Sequence, residues 1–295
     1  MTSTSRTYLR APFATRTATF SSSRPTTRPD APSGDYFRCW WNTLALVVST
    51  DGGRTYRRQG PRHGLVAAVP YRYVPDLGVE GHRGPSQIVR NPADGYYYAI
   101  VSQDVLARPD VAREGGNCLI RTRNLADPTS WRAPDESGAY TRSFIDPYTA
   151  GAVPRNHICG TYISTRPGCG GGCSPLHPNL TWNTQLQRWL LIGGDQVDVR
   201  TDPGTTKWGV YFSVSKDLVT WTTQKLVFAR NMAFVHRCGD PDPIMYPTLI
   251  DHASSSRSFE TTGSRAYLYY TVQHFDGCSG TLDRDLVRVP VTISK

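Results

Sequence analysis

The chain has 295 residues and a net charge of +9, and it holds 26 Gly, 22 Pro, 16 Tyr and 7 Trp. That mix, with only Glu80, Glu114, Glu136 and Glu260 as glutamates, is poor material for long helices and good material for strands joined by turns, so an all-β fold is expected. The positive charges are scattered rather than gathered in a run or a basic helix, which argues against a dedicated nucleic-acid surface, and no apolar run is long enough to cross a membrane as a helix.

Residues 1–34 form a Ser/Thr/Arg/Pro-rich segment that carries five arginines against Asp30 and lacks the apolar stretch of a signal peptide. Within it "TRTATFSSS" alternates like a strand, and the expectation is a partly disordered segment or a strand that closes a ring against the C-terminus. Residues 35–295 are expected to form one domain. Seven cysteines, at positions 39, 118, 159, 169, 173, 238 and 278, suggest an oxidising compartment, hence a secreted, monomeric protein with disulfides. Cys169 and Cys173 bracket three glycines, and a loop disulfide or two separate disulfides fit better than zinc, because no second ligand pair follows at finger spacing.

"STDGGRTY", Ser49 to Tyr56, fits the pattern S-x-D-x-G-x-T-[WY] and resembles the Asp-box of sialidases and related β-propellers. Asp51 is placed to accept backbone hydrogen bonds of a turn, so this stretch reads as a staple at a strand end rather than as chemistry. A looser form of it, a strand, a [ST]-x-[DN] turn and then an aromatic, recurs in "IRTRNLADPTSW" with Asn124 and Trp131 and in "FSVSKDLVTW" with Asp217 and Trp221.

Three further stretches share one grammar: a Pro, a short apolar strand, a polar turn and an aromatic-rich strand. They are "RGPSQIVRNPADGYYYAIVSQ" at 83–103, "LHPNLTWNTQLQRWLLIGGD" at 176–195 and "MYPTLIDHASSSRSFETTGSRAYLYYTV" at 245–272. Each reads as a hairpin. With the turn element added, each repeat predicts a four-stranded antiparallel sheet, the blade of a β-propeller. About 260 residues after the tail suggest five blades, with "FIDPYTAGAVPRNHICGTYIS" at 144–164 supplying the inner strand of an intervening one.

"GVYFSVSKDLVTW", "YLYYTV" and "RDLVRVPVTI" resemble blades of the five-bladed glycoside hydrolases, the arabinanase, xylosidase and fructosidase group. The resemblance implies a five-bladed β-propeller that cleaves glycans in an axial funnel. No cofactor is expected beyond an axial calcium that the resemblance would place near His274.

In a propeller the residues just before each innermost strand face the funnel, which turns the repeat into a site prediction. Ahead of the first hairpin lie Glu80, His82, Arg83 and Gln87; ahead of the second, His177 and Asn179; ahead of the third, His236, Asp240, Asp242 and Tyr246. "SFIDPY" adds Asp146. Glycoside hydrolysis commonly uses two carboxyl groups. Glu80, the one glutamate at a predicted axis end, is expected as general acid, with Asp242 and then Asp146 as its partners. His82, Arg83, Gln87, His177, Asn179, His236, Tyr246 and Trp41 are expected to bind an oligo- or polysaccharide, an anionic one included. Three histidines from separate loops could also hold zinc, but hydrogen-bonding histidines are commoner and no metal is assigned. The alternatives are a non-catalytic carbohydrate-binding propeller, and a polysaccharide lyase in which His82, Arg83 and Tyr246 act on a uronate.

Overall fold

The computed structural model describes residues 38–52, 54–109, 111–149, 154–165, 175–198, 206–256 and 258–295, together with the backbone of Thr17–Ser23. The expectations for Cys169 and Cys173 and for most of residues 1–34 lie outside these residues. The fold is all-β: among the described residues the only helical segments are one turn at Pro61–Gly64 and three short 3-10 turns. Contacts divide the chain into two compact units, one ending at Ile163 and the other taking up the chain from Ser164.

In the first unit the strands are β1 (Thr17–Ser23), β2 (Trp41–Ser49), β3 (Arg57–Arg58), β4 (Leu65–Ala67), β5 (Glu80–Arg83), β6 (Val89–Arg90), β7 (Tyr97–Val105), β8 (Glu114–Thr122), β9 (Arg132–Ala133) and β10 (Arg142–Ser143). They form one sheet in the order β1-β2-β5-β7-β8-β9-β10, with β3 and β4 also on β2 and β6 on β7. The expected strand in "TRTATFSSS" is present as β1, paired antiparallel with β2. β2 is buried on both faces through its middle, as its apolar run "LALVV" requires. Leu44, Leu46, Ile88, Val101, Ile120 and Trp131 make the core.

The second unit holds β11 (Leu176–Asn183), β12 (Arg188–Asp198), β13 (Thr206–Ser215), β14 (Lys225–Ala229), β15 (Ile244–Ile250), β16 (Thr261–Thr262), β17 (Arg265–Asp276) and β18 (Ser279–Thr292). Its sheets run β14-β13-β12-β11-β16 and β15-β17-β18. Leu190, Ile192, Val210, Ile244, Leu249 and Leu268 form its core. β16, from the connection between β15 and β17, lies parallel to β11, and Asn179 Oδ1 accepts from Leu249 N at 2.9 Å, so the second and third hairpins are stitched together.

All three repeated hairpins exist, and two extend to the expected four-stranded antiparallel unit: β5 and β6 with β7, β8 and β9, then β11 to β14. The third stops at three strands. Among the described residues of 144–164 the expected inner strand is not seen: they contain a 3-10 turn at Pro154–His157 and a bridge from Asn117 to Ile163. "DPY" and "VPRN" there favour turns over a ladder, since Pro cannot donate to one.

The backbone shows why a Pro marks each repeat. The residue before it takes a positive φ: 55° at Gly84, 52° at His177 and 59° at Tyr246. At each place the inner strand carries extra residues relative to its partner, between Arg83 and Val89, between Leu176 and Asn179, and between Met245 and Thr248. These are β-bulges that re-aim side chains. His177 and Tyr246 hold a conformation that glycine tolerates and that a residue before proline ordinarily avoids, at a cost of order 1–3 kcal/mol each.

The [ST]-x-[DN] turns close as their sequences predict. Asp51 Oδ1 accepts from Arg54 N (3.0 Å) and Thr55 N (2.9 Å), while Oδ2 accepts from the Thr55 hydroxyl (2.6 Å). These bonds, led by the Thr55 hydroxyl, hold its carboxyl far below the usual range. Asn124 accepts from Ala126 N, and Asp217 from Val219 N and Thr220 N. Trp131 and Trp221 then fold back into buried positions. Disulfides join Cys118 to Cys159 and Cys238 to Cys278; Cys39 is a buried free thiol.

Candidate functional site

The first unit gathers several candidates at the start of β5. Trp41 and Glu80 are parallel-register partners, the Trp41 ring meets Tyr148 edge-on at 6.5 Å, and the Arg72 guanidinium lies 5.6 Å from the Tyr148 ring. Tyr148 is 56% exposed, so this aromatic pair reaches solvent. Asp146, two residues before it, accepts from Tyr148 N through Oδ1 at 2.9 Å, the local turn that an Asp before Pro commonly makes.

Glu80 is placed differently from expectation. Its side chain is 2% exposed, and both oxygens accept from Arg108, at 2.7 and 2.8 Å. Leu106 N adds a third bond at 3.1 Å. The Arg108 guanidinium in turn lies 4.0 Å from the Tyr71 ring. A guanidinium fork favours the carboxylate over the acid, whereas a general acid must begin protonated. Glu80 is therefore a buried, paired anion.

Asp104, which sequence reading passed over, has the opposite character. It stands across from Gly81 in the β5–β7 ladder and is ion-paired with Arg83. Burial pushes its carboxyl above the ordinary range; Arg83 pulls against this, and the negative charge of Glu80 adds a smaller upward push. Asp104 is thus a carboxyl at this place whose acid form burial favours.

Behind them His82 is fully buried. Its Nε2 meets Gln103 Oε1 at 3.1 Å, and the ring packs edge-on against Phe144 at 5.1 Å. Gln103 also donates to the Tyr162 hydroxyl (2.6 Å) and accepts from Cys159 N (3.1 Å). Burial pulls His82 down to about 4, against the raising effect of Gln103. It is a neutral structural histidine without access to a sugar. Gln87 is likewise buried, beside Ser86, whose hydroxyl accepts from Ile100 N.

In the second unit His177 and Tyr246 occupy matching bulges, and their rings meet edge-on at 4.8 Å. Asn179 is fully buried and serves the stitch to Leu249. His236 stacks on Phe275 at 3.9 Å. Asp242 accepts from His274 Nδ1 at 2.7 Å and from Phe275 N at 3.3 Å, and His274 Nε2 meets Asp285 at 3.1 Å. With the Cys238–Cys278 bond beside it, this row ties the segment before β15 to the β17–β18 hairpin. Asp240 caps the same turn, accepting from Arg237 N and Asn231.

The row has a pH signature. Asp242 first, then Asp285, holds His274 above its ordinary range, and His274 holds Asp242 below its own. A raised histidine contributes stability below its unfolded pKa and loses it as pH rises through the folded one; a lowered carboxylate loses its contribution as pH falls. The stability difference between the protein and His274→Gln should therefore be largest between about pH 4 and about pH 6.5 and shrink on either side, read from melting temperatures across pH.

No protein-family model matches the sequence, and no curated protein matches it. Among solved structures 52 chains match. One described as a glycoside hydrolase is 10% identical, with 98% of this chain and 73% of that one covered at a TM-score of 0.50. The β-fructofuranosidase BmSUC1 of Bombyx mori, of glycoside hydrolase family 32, is 10% identical over 90% of this chain and 41% of its own, at 0.45. A family 117 glycoside hydrolase of Zobellia galactanivorans is 11% identical over 92% and 66%, at 0.47. This chain thus spans about two fifths of the silkworm enzyme. The first of the three places the chain among proteins with a glycoside hydrolase-like all-β fold.

Proposed function

We propose that the protein is a secreted glycoside hydrolase whose chemistry sits at the start of β5 in the first unit. The observation that carries this reading is the pairing there of a burial-raised carboxyl, Asp104, with an arginine-held anion, Glu80, beside the solvent-reaching rings of Trp41 and Tyr148. Asp104 is the proton donor to the leaving glycosidic oxygen. Burial holds that proton in place against the pull of Arg83, with a smaller push from the charge of Glu80, and Asp146 is the carboxylate that activates water or attacks the sugar. The faces of Trp41 and Tyr148 seat the apolar side of a sugar ring, and Arg72 and Arg83 accommodate an anionic one. The glycoside hydrolase-like fold supports the reaction class, and the two disulfides support secretion.

Digestion of a glycan panel, with products identified by mass, is expected to show cleavage with gain of water. Asp104→Asn should lower kcat/KM by about 10²–10⁴-fold while leaving the melting temperature near that of the parent. An unsaturated product absorbing in the ultraviolet would replace hydrolysis with elimination. Glycan binding without turnover would establish the non-catalytic alternative, which the locked state of Glu80 favours over a Glu80-centred hydrolase.

A further inference from the structure

The β15–β17–β18 sheet of the second unit carries an open groove of about 460 Å³ on one face. Tyr246, Thr248, His252, Phe259, Tyr269 and Thr271 are among the side chains that line it, and among the described residues no Asp, Glu, Lys or Arg does. Strand geometry explains the clustering. Tyr267, Tyr269 and Thr271 alternate with buried Ala266 and Leu268 along β17, so they share the face turned from the core. Thr248 is the register partner of Tyr269, and Leu286 that of Thr271. His252 fixes the rings: its Nε2 bonds the Tyr269 hydroxyl at 2.8 Å, and its own ring lies 4.7 Å from that of Tyr267 at 32°.

We infer that this groove is a binding surface for a neutral glycan chain, separate in its residues from the proposed catalytic cluster of the first unit. A sugar ring presents an apolar C–H face bordered by hydroxyls. The groove offers the matching pattern, ring faces at its floor and Tyr, Thr and His polar tips at its rim. The charge nearest the groove is Arg288, the ladder partner of Tyr269, and its guanidinium is laid over the Tyr267 ring at 4.9 Å, so the polar contacts left to a sugar come from the hydroxyl and imidazole groups of the lining, which suits a neutral ring. A peptide strand would find no ladder to join here, because the groove lies on the sheet face rather than along an edge. The strained bulge at Tyr246 acquires a purpose in this arrangement: it turns the phenol into the groove against His177.

The glycan class rests on the proposed function, but the test does not depend on catalysis. Binding of the full chain to insoluble neutral polysaccharide is measured by depletion from solution, and binding to soluble neutral oligosaccharides by titration calorimetry. Polygalacturonate with and without salt is run beside them, as is hydrolysis of the same oligosaccharides. Tyr269→Ala should weaken neutral-glycan binding at least about tenfold with an unchanged melting temperature, while Tyr269→Phe, which keeps the ring, should bind like the parent. Absence of neutral-glycan binding by the parent overturns the inference. So does binding unaffected by both Tyr269→Ala and Tyr267→Ala, or binding confined to the acidic polymer and lost in salt. Binding without hydrolysis would sink the catalytic reading and leave the groove standing.

Discussion

Arg108→Met is expected to destabilise the protein by about 3–5 kcal/mol, one of the largest effects of any single replacement outside the apolar core. The reason is Glu80. Its carboxylate is almost wholly withdrawn from solvent, and Arg108 supplies two of its three hydrogen bonds. Removing the guanidinium leaves a buried charge with one backbone donor, and the carboxyl must then ionise in an apolar setting or take up a proton. Glu80→Leu made together with Arg108→Met should recover much of the loss, because replacing both partners leaves no orphan charge. Urea unfolding of the parent and the two variants reads this directly, and a loss below about 1 kcal/mol for Arg108→Met would show the pair to be solvated instead of buried. The same series separates structure from chemistry. A general acid at position 80 would be favoured by loss of its cation, since the acid form would become easier to hold. A paired anion gives a protein that is less stable and, where folded, impaired through Asp104.

The repeat grammar was legible in the sequence and the site was legible only in part, for a physical reason. Pro85, Pro178 and Pro247 announce the three inner strands because each follows a bulge residue of positive φ, a local constraint written in adjacent residues. Asn124, Asp217 and their following tryptophans are equally local, since a turn and the aromatic that packs over it are a few positions apart. Glu80, His82, Arg83 and Trp41 lie near one another because β2 and β5 begin side by side, with Trp41 and Glu80 as ladder partners. Their roles depended on partners far along the chain: Arg108, 28 residues from Glu80, and Gln103 and Asp104, 21 residues from His82 and Arg83. Only the β5–β7 ladder brings these groups together, and "SQDVLARPD" carries no sign of it. The groove was missed for a related reason. Tyr269 and Thr271 read as ordinary strand residues until β15 supplies Thr248 opposite the first and β18 supplies Leu286 opposite the second.

Acid should weaken the first unit through His82, by up to about 3 kcal/mol between about pH 6.5 and about pH 4. The imidazole is fully buried, and Gln103 Oε1 accepts from Nε2–H, which fixes the neutral tautomer; Nδ1 has no partner among the described residues. Charging the ring would place a cation between Phe144 and the Gln103 amide with no carboxylate to receive it, so the folded state resists the proton until about pH 4. The unfolded chain takes it near the ordinary histidine value. Across that interval the unfolded state binds more protons, stability drops as pH is lowered, and the loss levels off once both states are charged. His274 and Asp104 shift in the opposite sense, and lowered carboxyls such as Asp242 add their own slopes, so the raw pH profile is a mixture. The difference between the protein and His82→Asn isolates one. The variant is expected to be less stable at neutral pH, through the lost packing on Phe144, yet to lose less stability on acidification, so that the two urea midpoints converge toward pH 4. Parallel profiles would mean that water reaches the ring and that the Gln103 network does not seal it.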